Sequence, residues 1–149
     1  MNEQSEKPNS VRLVFVSHGG KDMWVAKQIA KEIAACNAQP FLDESDINVG
    51  DDFEEKIRRF LEISHELLVL ITPWSMERSF VWAEIGAAWM RQIPIIVVLL
   101  GVSTTDFQIH PNVPIFLKKR DIISINDISQ YFDQLKQRVS KDCERSNNK

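Results

Sequence analysis

The sequence predicts a doubly wound α/β fold, in which a parallel sheet is covered by helices on both faces. Strand-like and helix-like segments alternate along the chain, as they do in folds built from strand–helix–strand units. The strand-like runs are almost continuous in Val, Ile and Leu, which is typical of strands buried on both faces. With 149 residues, the chain can bury one hydrophobic core and little more.

Five short apolar runs are predicted to form the strands. They are Val11–Ser17, Pro40–Leu42, Glu66–Thr72, Ile95–Leu100 and Asp121–Ile125. Helices are predicted between and after them, because apolar residues recur there at three- and four-residue steps. These helices are Lys21–Cys36, Asp52–Ser64, Val81–Arg91 and Ile128–Val139. Residues 101–119 contain two prolines and no clear period, which leaves room only for a short or distorted helix.

Both ends of the chain are polar, and no repeat or linker lies between them. We therefore expect one domain over residues 11–140. A disordered tail is expected over residues 1–10 and a polar tail over residues 141–149, of which residues 142–149 are expected to be frayed.

The composition argues against several classes of partner and environment. The formal net charge is −3 and the basic residues are scattered, so neither nucleic acid nor a membrane surface is an expected partner. The longest apolar run, Ile93–Leu100, is too short to span a bilayer. Cys36 and Cys143 form no disulfide or metal-ligand pattern, and the amino terminus has no secretory signal. A reducing cytoplasm is the predicted location.

Glu84 is the residue that most strongly indicates chemistry. It interrupts an apolar helical pattern directly after a strand and a loop, where open α/β folds place their active sites. If Val81, Ile85 and Ala88 form the buried stripe, Glu84 lies on the flank of the helix, reachable by a ligand yet partly desolvated. The alternative is an acid that only favours the helix start through the helix dipole.

The loop after the first strand, residues 17–22, reads Ser-His-Gly-Gly-Lys-Asp. Two adjacent glycines before a helix allow the backbone to approach a phosphate at the amino end of that helix. The loop matches neither the dinucleotide-binding glycine pattern nor a Walker loop. An ordinary turn with a half-exposed His18 is therefore the alternative.

The loop Asp43–Asp52 is longer than a strand-to-helix connection requires. Its acidic residues do not form a calcium loop, because the sixth position is Asn48 where glycine is needed, and no metal site is predicted. Ile47 and Val49 would be exposed apolar tips, which favours a mobile lid or a contact with another subunit. The alternative is a solvated surface loop whose last residues cap the next helix.

Aromatic residues are concentrated around Glu84. Trp74, Phe80, Trp82 and Trp89 could stack on a base or a nicotinamide ring, although core packing is the commoner role of any one of them. Periodicity places Trp89 on the buried side of its helix. Phe80, four residues before Glu84 and on the same helix face, is the best placed to border a site.

Three segments, in this order and spacing, resemble the TIR (Toll/interleukin-1 receptor) domain family over about residues 11–140. Residues 14–18, Val-Phe-Val-Ser-His, followed by Lys-Asp at 21–22, resemble its first box. Residues 41–43 with 46–50 resemble its second box, the BB loop. Residues 64–75 and 79–88 resemble its third strand and its glutamate helix. The resemblance implies a flavodoxin-like, three-layer fold with a five-stranded parallel sheet.

The resemblance also implies an activity. In the enzymatic branch, cleavage of NAD+ at the nicotinamide–ribose bond depends on the glutamate that aligns with Glu84. NAD+ is then the substrate, and no cofactor or metal is expected. The substrate-binding positions that the resemblance implies are Phe15, Ser17, His18, Gly19, Asp43, Gly50 and Phe80. Residues 84–88, Glu-Ile-Gly-Ala-Ala, are similar to bacterial members, several of which produce an ADP-ribose signal in antiphage immunity.

The expected protein partners also follow from the resemblance. Members of the family associate with one another, and the site is often completed by a loop of a neighbouring subunit. Self-association through Asp43–Asp52 is therefore expected, and a separately encoded sensor or effector is a further expected partner.

Two alternatives compete with this activity, and a third class of protein is set aside. A non-catalytic TIR adaptor is the main one, and such members often lack the glutamate. Many active members have Trp four residues before the glutamate, where this chain has Phe80. A nucleoside deoxyribosyltransferase-like enzyme also uses a glutamate in a related fold. A phosphorelay receiver needs an acceptor Asp after the third strand, and residues 71–74, Ile-Thr-Pro-Trp, offer none.

Overall fold

A computed structural model describes residues 11–42, 53–77, 79–111, 113–114, 116–117 and 121–147 of the chain. At residues 53, 54, 56, 57, 79 and 80 the description covers the backbone alone. The two binding-loop residues expected from the sequence, Asp43 and Gly50, lie outside the described residues, as do the apolar tips Ile47 and Val49.

A five-stranded parallel sheet forms the centre of the molecule. Its strands are β1 (Leu13–Ser17), β2 (Gln39–Leu42), β3 (Glu66–Ile71), β4 (Ile95–Leu99) and β5 (Ile122–Ser124). The strand order is β2-β1-β3-β4-β5, and every neighbouring pair is parallel. The predicted fold class, a five-stranded parallel sheet within a three-layer α/β fold, is confirmed. The chain changes direction across the sheet between β1 and β3, which is where such folds open a crevice.

Five helices cover the sheet. They are α1 (Met23–Ala35), α2 (Phe53–Ile63), α3 (Ser79–Met90), α4 (Thr104–Ile109) and α5 (Ile128–Asn147). Helix α4 is the short helix for which residues 101–119 left room, and it begins where the Ser103 hydroxyl accepts a hydrogen bond from the Asp106 N–H at 3.0 Å. Within the described residues, no helix is long and apolar enough to cross a membrane.

Alternation along the strands divides the core into two layers. Val14, Val16 and their neighbours face α1 and α5, and contact a cluster that includes Ile33 and Leu135. Phe15 and the alternate residues of β3 face the other way, towards Leu61 of α2 and the buried stripe of α3. The predicted stripe of α3 is confirmed, and its members Val81, Ile85 and Ala88 are all buried.

The carboxyl-terminal residues differ from the prediction. Helix α5 continues to Asn147, so residues 142–147, predicted to be frayed, are helical. One reason is visible at Asp142, whose Oδ2 accepts a hydrogen bond from Arg12 Nη1 at 3.1 Å and ties this turn to the start of β1. A polar segment needs no apolar stripe to stay helical when such a long-range contact holds it.

A buried charge cluster occupies the amino-terminal edge of the sheet. The carboxylate of Glu66, fully buried at the first residue of β3, accepts hydrogen bonds from Arg12 Nε at 2.7 Å and from Tyr131 Oη at 2.9 Å. Arg138 of α5 forms a two-point contact with the same carboxylate. This Glu66 cluster joins β1, β3 and α5, and no local pattern in the sequence indicated it.

Candidate active site at the carboxyl edge of the sheet

The candidate site lies beyond the carboxyl ends of β1 and β3, which are neighbours in the sheet. Ser17, the last residue of β1, pairs with Val69 of β3. The loops that follow these two strands therefore meet at one edge, and α3 begins from the second of them. This is the position at which open α/β sheets bind their ligands.

Two side chains of β1 face the layer between the sheet and α2–α3. Phe15 belongs to the cluster that contains α2 and α3 residues, and Ser17 lies on the same face because side chains alternate along a strand. Both are fully buried. The Ser17 hydroxyl has no hydrogen-bond partner in the part of the chain that the structure describes. A buried hydroxyl of this kind is a candidate to bind a polar ligand atom.

The residues that follow β1 turn sharply into α1. His18 is 2% exposed, so it is not the half-exposed turn residue considered from the sequence. Its Nδ1 lies 2.8 Å from the carbonyl oxygen of Gly19. Since a carbonyl only accepts, this contact requires the proton on Nδ1. The same carbonyl accepts a hydrogen bond from the Asp22 N–H at 3.0 Å, which closes the turn around a buried Gly19.

A buried polar network joins the loops after β1 and β3. Thr72 Oγ1 donates a hydrogen bond to Asp22 Oδ2 at 2.7 Å. The Thr72 N–H in turn donates to Ser75 Oγ at 2.8 Å, and the Ser75 hydroxyl lies 3.2 Å from the carbonyl oxygen of Leu70. The side chains of Asp22, Thr72 and Ser75 are all buried. The network fixes the two loops against each other, and no pattern in the sequence singled it out.

Glu84 lies on the flank of α3 that faces α2. Arg91, two helical turns later and so on almost the same side, donates hydrogen bonds to the carbonyl oxygens of Leu61 and Ser64 at the end of α2. Trp82 lies on the opposite flank, where its ring stacks against that of Phe107 in α4 with the ring centres 6.1 Å apart. Glu84 therefore faces the gap between α2 and α3, in the layer that Phe15 and Ser17 also face.

The carboxylate of Glu84 is more deeply buried than the sequence predicted. Only 2% of the residue is exposed, whereas a flank position implied partial contact with water. One neighbour of this flank is α2, as the contacts of Arg91 with the end of α2 show, and helical periodicity does not reveal such a neighbour. A carboxylate in so little water interacts strongly with nearby charge, because the local dielectric constant is low.

Of the two aromatic residues with a predicted position, Trp89 differs from its prediction and Phe80 stays untested. Trp89 was predicted on the buried side of α3, and this is wrong, since it is 50% exposed and stacks on Phe116 with ring centres 4.7 Å apart. It lies in the last turn of the helix, beyond the edge of the sheet. Phe80 lies in the first turn of α3, but its side chain is outside the described part. Its role at the site therefore remains a prediction.

Among the described residues, no group of His, Cys, Asp and Glu side chains has the arrangement of a metal site.

Comparisons with known proteins bear on this arrangement. A family model described as TIR domain matches residues 14–139. The TIR domain of a Toll-related receptor from Hydra magnipapillata is 18% identical, with a TM-score of 0.62 over 81% of this chain and 91% of that chain. A TIR-STING receptor from C. gigas is 18% identical, with a TM-score of 0.62 over 83% of this chain and 38% of that chain. A prokaryotic SEFIR domain is 20% identical, with a TM-score of 0.56 over 85% and 90% of the two chains. No curated protein matches the chain.

Proposed function

The chain belongs to the TIR domain family, and on this premise we propose that it is an enzyme that cleaves the nicotinamide–ribose bond of NAD+. The observation that carries the proposal is the buried carboxylate of Glu84, on the flank of α3 that faces α2 and in the layer of the buried Ser17 hydroxyl. An acid that served only the helix dipole would gain nothing from burial, which penalises its charged form.

The chemistry requires a negative charge near the ribose. When the bond between the ribose C1′ and the nicotinamide nitrogen breaks, its electron pair stays on the nitrogen and removes the positive charge of the ring. Positive charge then develops on the ribosyl group. In the proposed mechanism, the Glu84 carboxylate stabilises this oxocarbenium-like centre, as carboxylates do in glycoside hydrolysis. Water then attacks C1′ and loses a proton, which gives ADP-ribose.

The other predicted residues have supporting roles in the proposal. Ser17 Oγ, buried on the same face as Phe15, would hydrogen-bond a polar group of the nicotinamide–ribose end. His18 and Gly19 would shape the adjoining backbone turn, which their short contact holds closed. In the proposal, Asp43 and Gly50 would border the entrance and Phe80 would border the site; Asp43, Gly50 and the Phe80 side chain lie outside the described part of the chain. The product would be ADP-ribose, a cyclic isomer or a conjugate, used as a signal in bacterial antiphage immunity.

The test of Glu84 is nicotinamide release from NAD+, measured by chromatography for the wild type and two variants. Glu84→Gln keeps the shape of the side chain and removes its charge, so we expect a loss of at least about 10²-fold, the scale of removing one electrostatic stabiliser. Glu77→Gln is the matched control, because Glu77 is exposed just before α3, and it should retain wild-type activity. Thermal unfolding shows whether each variant is folded.

Two outcomes would contradict the proposal. If Glu84→Gln releases nicotinamide within a few-fold of the wild-type rate, Glu84 is not part of the mechanism. If the wild type releases none at any protein concentration, with or without crowding agents, the non-catalytic adaptor becomes the better description.

We further propose that the enzyme acts as an assembly formed through Asp43–Asp52. The sequence places Ile47 and Val49 in this loop, where exposure to water would be unfavourable unless another subunit covers them. Head-to-tail contacts of this kind can extend into filaments. Specific activity should then rise with protein concentration, and Ile47→Asp should abolish both the rise and the light scattering of assemblies. Constant specific activity over a dilution series, with Ile47→Asp fully active, would show that the loop is a surface connection only.

A further inference from the structure

Lys21 and Trp74 meet on the outer surface of the carboxyl edge, beside the candidate active site. Lys21 follows β1 and Trp74 follows β3, so the contact bridges the two loops that border the crevice. Lys21 Nζ lies 5.6 Å from the centre of the Trp74 ring, within the range of a cation–π interaction. Lys21 is exposed and Trp74 is 56% exposed, so both groups remain accessible.

The buried network underneath holds this pair in place. Lys21 directly precedes Asp22, whose carboxylate accepts the hydrogen bond from Thr72 Oγ1 at 2.7 Å. Thr72 is two residues before Trp74, and its N–H is bonded to Ser75 Oγ at 2.8 Å. The backbone on both sides of the contact is therefore fixed by buried hydrogen bonds. Because this backbone is fixed before a ligand arrives, binding would cost only the conformational entropy of the two side chains.

The chemistry of the pair selects a class of ligand. An exposed indole offers a flat apolar face on which a base can stack, and a lysine ammonium offers three N–H donors and a positive charge. An apolar ligand would use only Trp74, and a simple anion would use only Lys21. A nucleotide uses both, because its aromatic base lies a short distance from its phosphates.

We propose that Lys21 and Trp74 bind the adenosine diphosphate part of the dinucleotide, with Trp74 stacked on adenine and Lys21 bound to the diphosphate. The inference rests on the proposed function for the identity of the dinucleotide. The buried layer near Glu84 then receives the nicotinamide end, and the exposed pair receives the adenylate end. The competing explanation is that the Lys21–Trp74 contact only stabilises the loops after β1 and β3 against each other and binds no ligand.

Calorimetric titration with ADP separates these explanations, because ADP has no nicotinamide and its binding does not require cleavage. Trp74→Leu should weaken ADP binding at least about fivefold, the smallest effect expected for losing one base–aromatic stack. Trp74→Phe keeps an aromatic face and should retain most of the affinity. Lys21→Gln should weaken ADP binding at low salt and make the remaining affinity less dependent on salt.

The matched control is Trp89→Leu. Trp89 is a similarly exposed tryptophan, but it lies in the last turn of α3 at the other edge of the sheet. Its replacement should leave the affinity for ADP unchanged. Inorganic pyrophosphate is the second probe, and its binding should fall in Lys21→Gln but not in Trp74→Leu.

The inference is overturned if wild-type protein binds no ADP, or if ADP affinity is equal in the wild type, Trp74→Leu and Lys21→Gln. It is also overturned if Trp74→Leu and Trp89→Leu lose the same affinity. Its failure is distinguishable from that of the proposed function. If Trp74→Leu releases nicotinamide with an unchanged KM, only the adenylate subsite is refuted. If ADP binding depends on Trp74 but no nicotinamide is released, only the NAD+-cleaving activity is refuted.

Discussion

Replacing Glu66 by glutamine should destabilise the fold strongly without touching the candidate site. The change keeps the shape of the side chain and removes its charge. The carboxylate is fully buried and bound by two guanidinium groups and one phenol, from Arg12, Arg138 and Tyr131. The amide of the Glu66→Gln variant would retain one acceptor oxygen but would direct N–H groups towards donors. Both arginines would lose the Glu66 charge, and Arg12 would keep its contact with Asp142.

The size of the effect follows from burial. Breaking a buried ion pair by removing one partner costs about 3–5 kcal/mol, because the remaining charge stays desolvated. Here the side chains of Arg12 and Arg138 keep 13% and 27% exposure, so water can recover part of that loss. We therefore expect a loss of about 3 kcal/mol in the free energy of unfolding, at the lower end of the range. For a domain of this size, that lowers the melting temperature by about 6–12 °C.

Urea unfolding followed by circular dichroism measures this loss. Glu62→Gln is the matched control, because Glu62 pairs with Arg58 at 3.6 Å on an exposed helix face. Such surface pairs contribute about 0.5 kcal/mol or less. Equal stabilities of the Glu66 and Glu62 variants would refute the reasoning, and would mean that the Glu66 cluster gains no more from its ion pairs than it loses in desolvation.

Two further predictions concern pH. Burial and the nearby charge of Arg12 lower the pKa of His65, and the charge of Arg91 lowers it further. The charges of Asp142 and Glu66 oppose this shift. In the folded protein, His65 Nδ1 accepts a hydrogen bond from the Leu13 N–H at 2.8 Å. Since the fold favours neutral His65, the melting temperature should fall as the pH drops below about 6.5. It should fall less in His65→Asn, whose amide oxygen can still accept the hydrogen bond from the Leu13 N–H. An equal dependence of melting temperature on pH in the two proteins would contradict this. Burial and the charge of Glu66 raise the pKa of Tyr131 well above 10. Because Tyr131 is the only tyrosine of the chain, ultraviolet titration should show no phenolate until the protein unfolds in alkali. A phenolate band in folded protein near pH 10 would contradict this prediction.

The sheet could be predicted because its signal is local. Runs such as Glu66–Ile71 are buried on both faces, so the residue types alone identify a central parallel strand. The flank position of Glu84 could also be predicted, since helical periodicity is local too. The depth of its burial could not, because it depends on which elements pack against that flank of α3. Trp89 was misplaced for a related reason, since a periodic stripe does not reveal where the sheet beneath it ends.

The two buried polar networks, around Glu66 and around Thr72, could not be predicted from the sequence. The partners of Glu66 lie 54, 65 and 72 positions away along the chain. Thr72 and Asp22 are 50 positions apart. A charged residue at the start of a strand is normally exposed, so nothing in the neighbourhood of Glu66 indicated a buried cluster. Only the strand order brings these groups together.

The two edges of the sheet differ in how far their polar groups are paired within the described residues. At the amino edge, the Glu66 carboxylate is bound on both oxygens by arginine and tyrosine donors, so the cluster ties α5 to the sheet and offers a ligand little. At the carboxyl edge, the buried Ser17 hydroxyl has no such bond within the described residues, and Lys21 and Trp74 present charge and ring to solvent. Within the described residues the fold gains no hydrogen bond from the Ser17 hydroxyl, and an exposed cation–π contact contributes only about 0.5–1 kcal/mol, so binding is the role that we propose for these groups. Variants of the Glu66 cluster should therefore lower the melting temperature and leave KM unchanged, whereas variants of Trp74 should do the reverse.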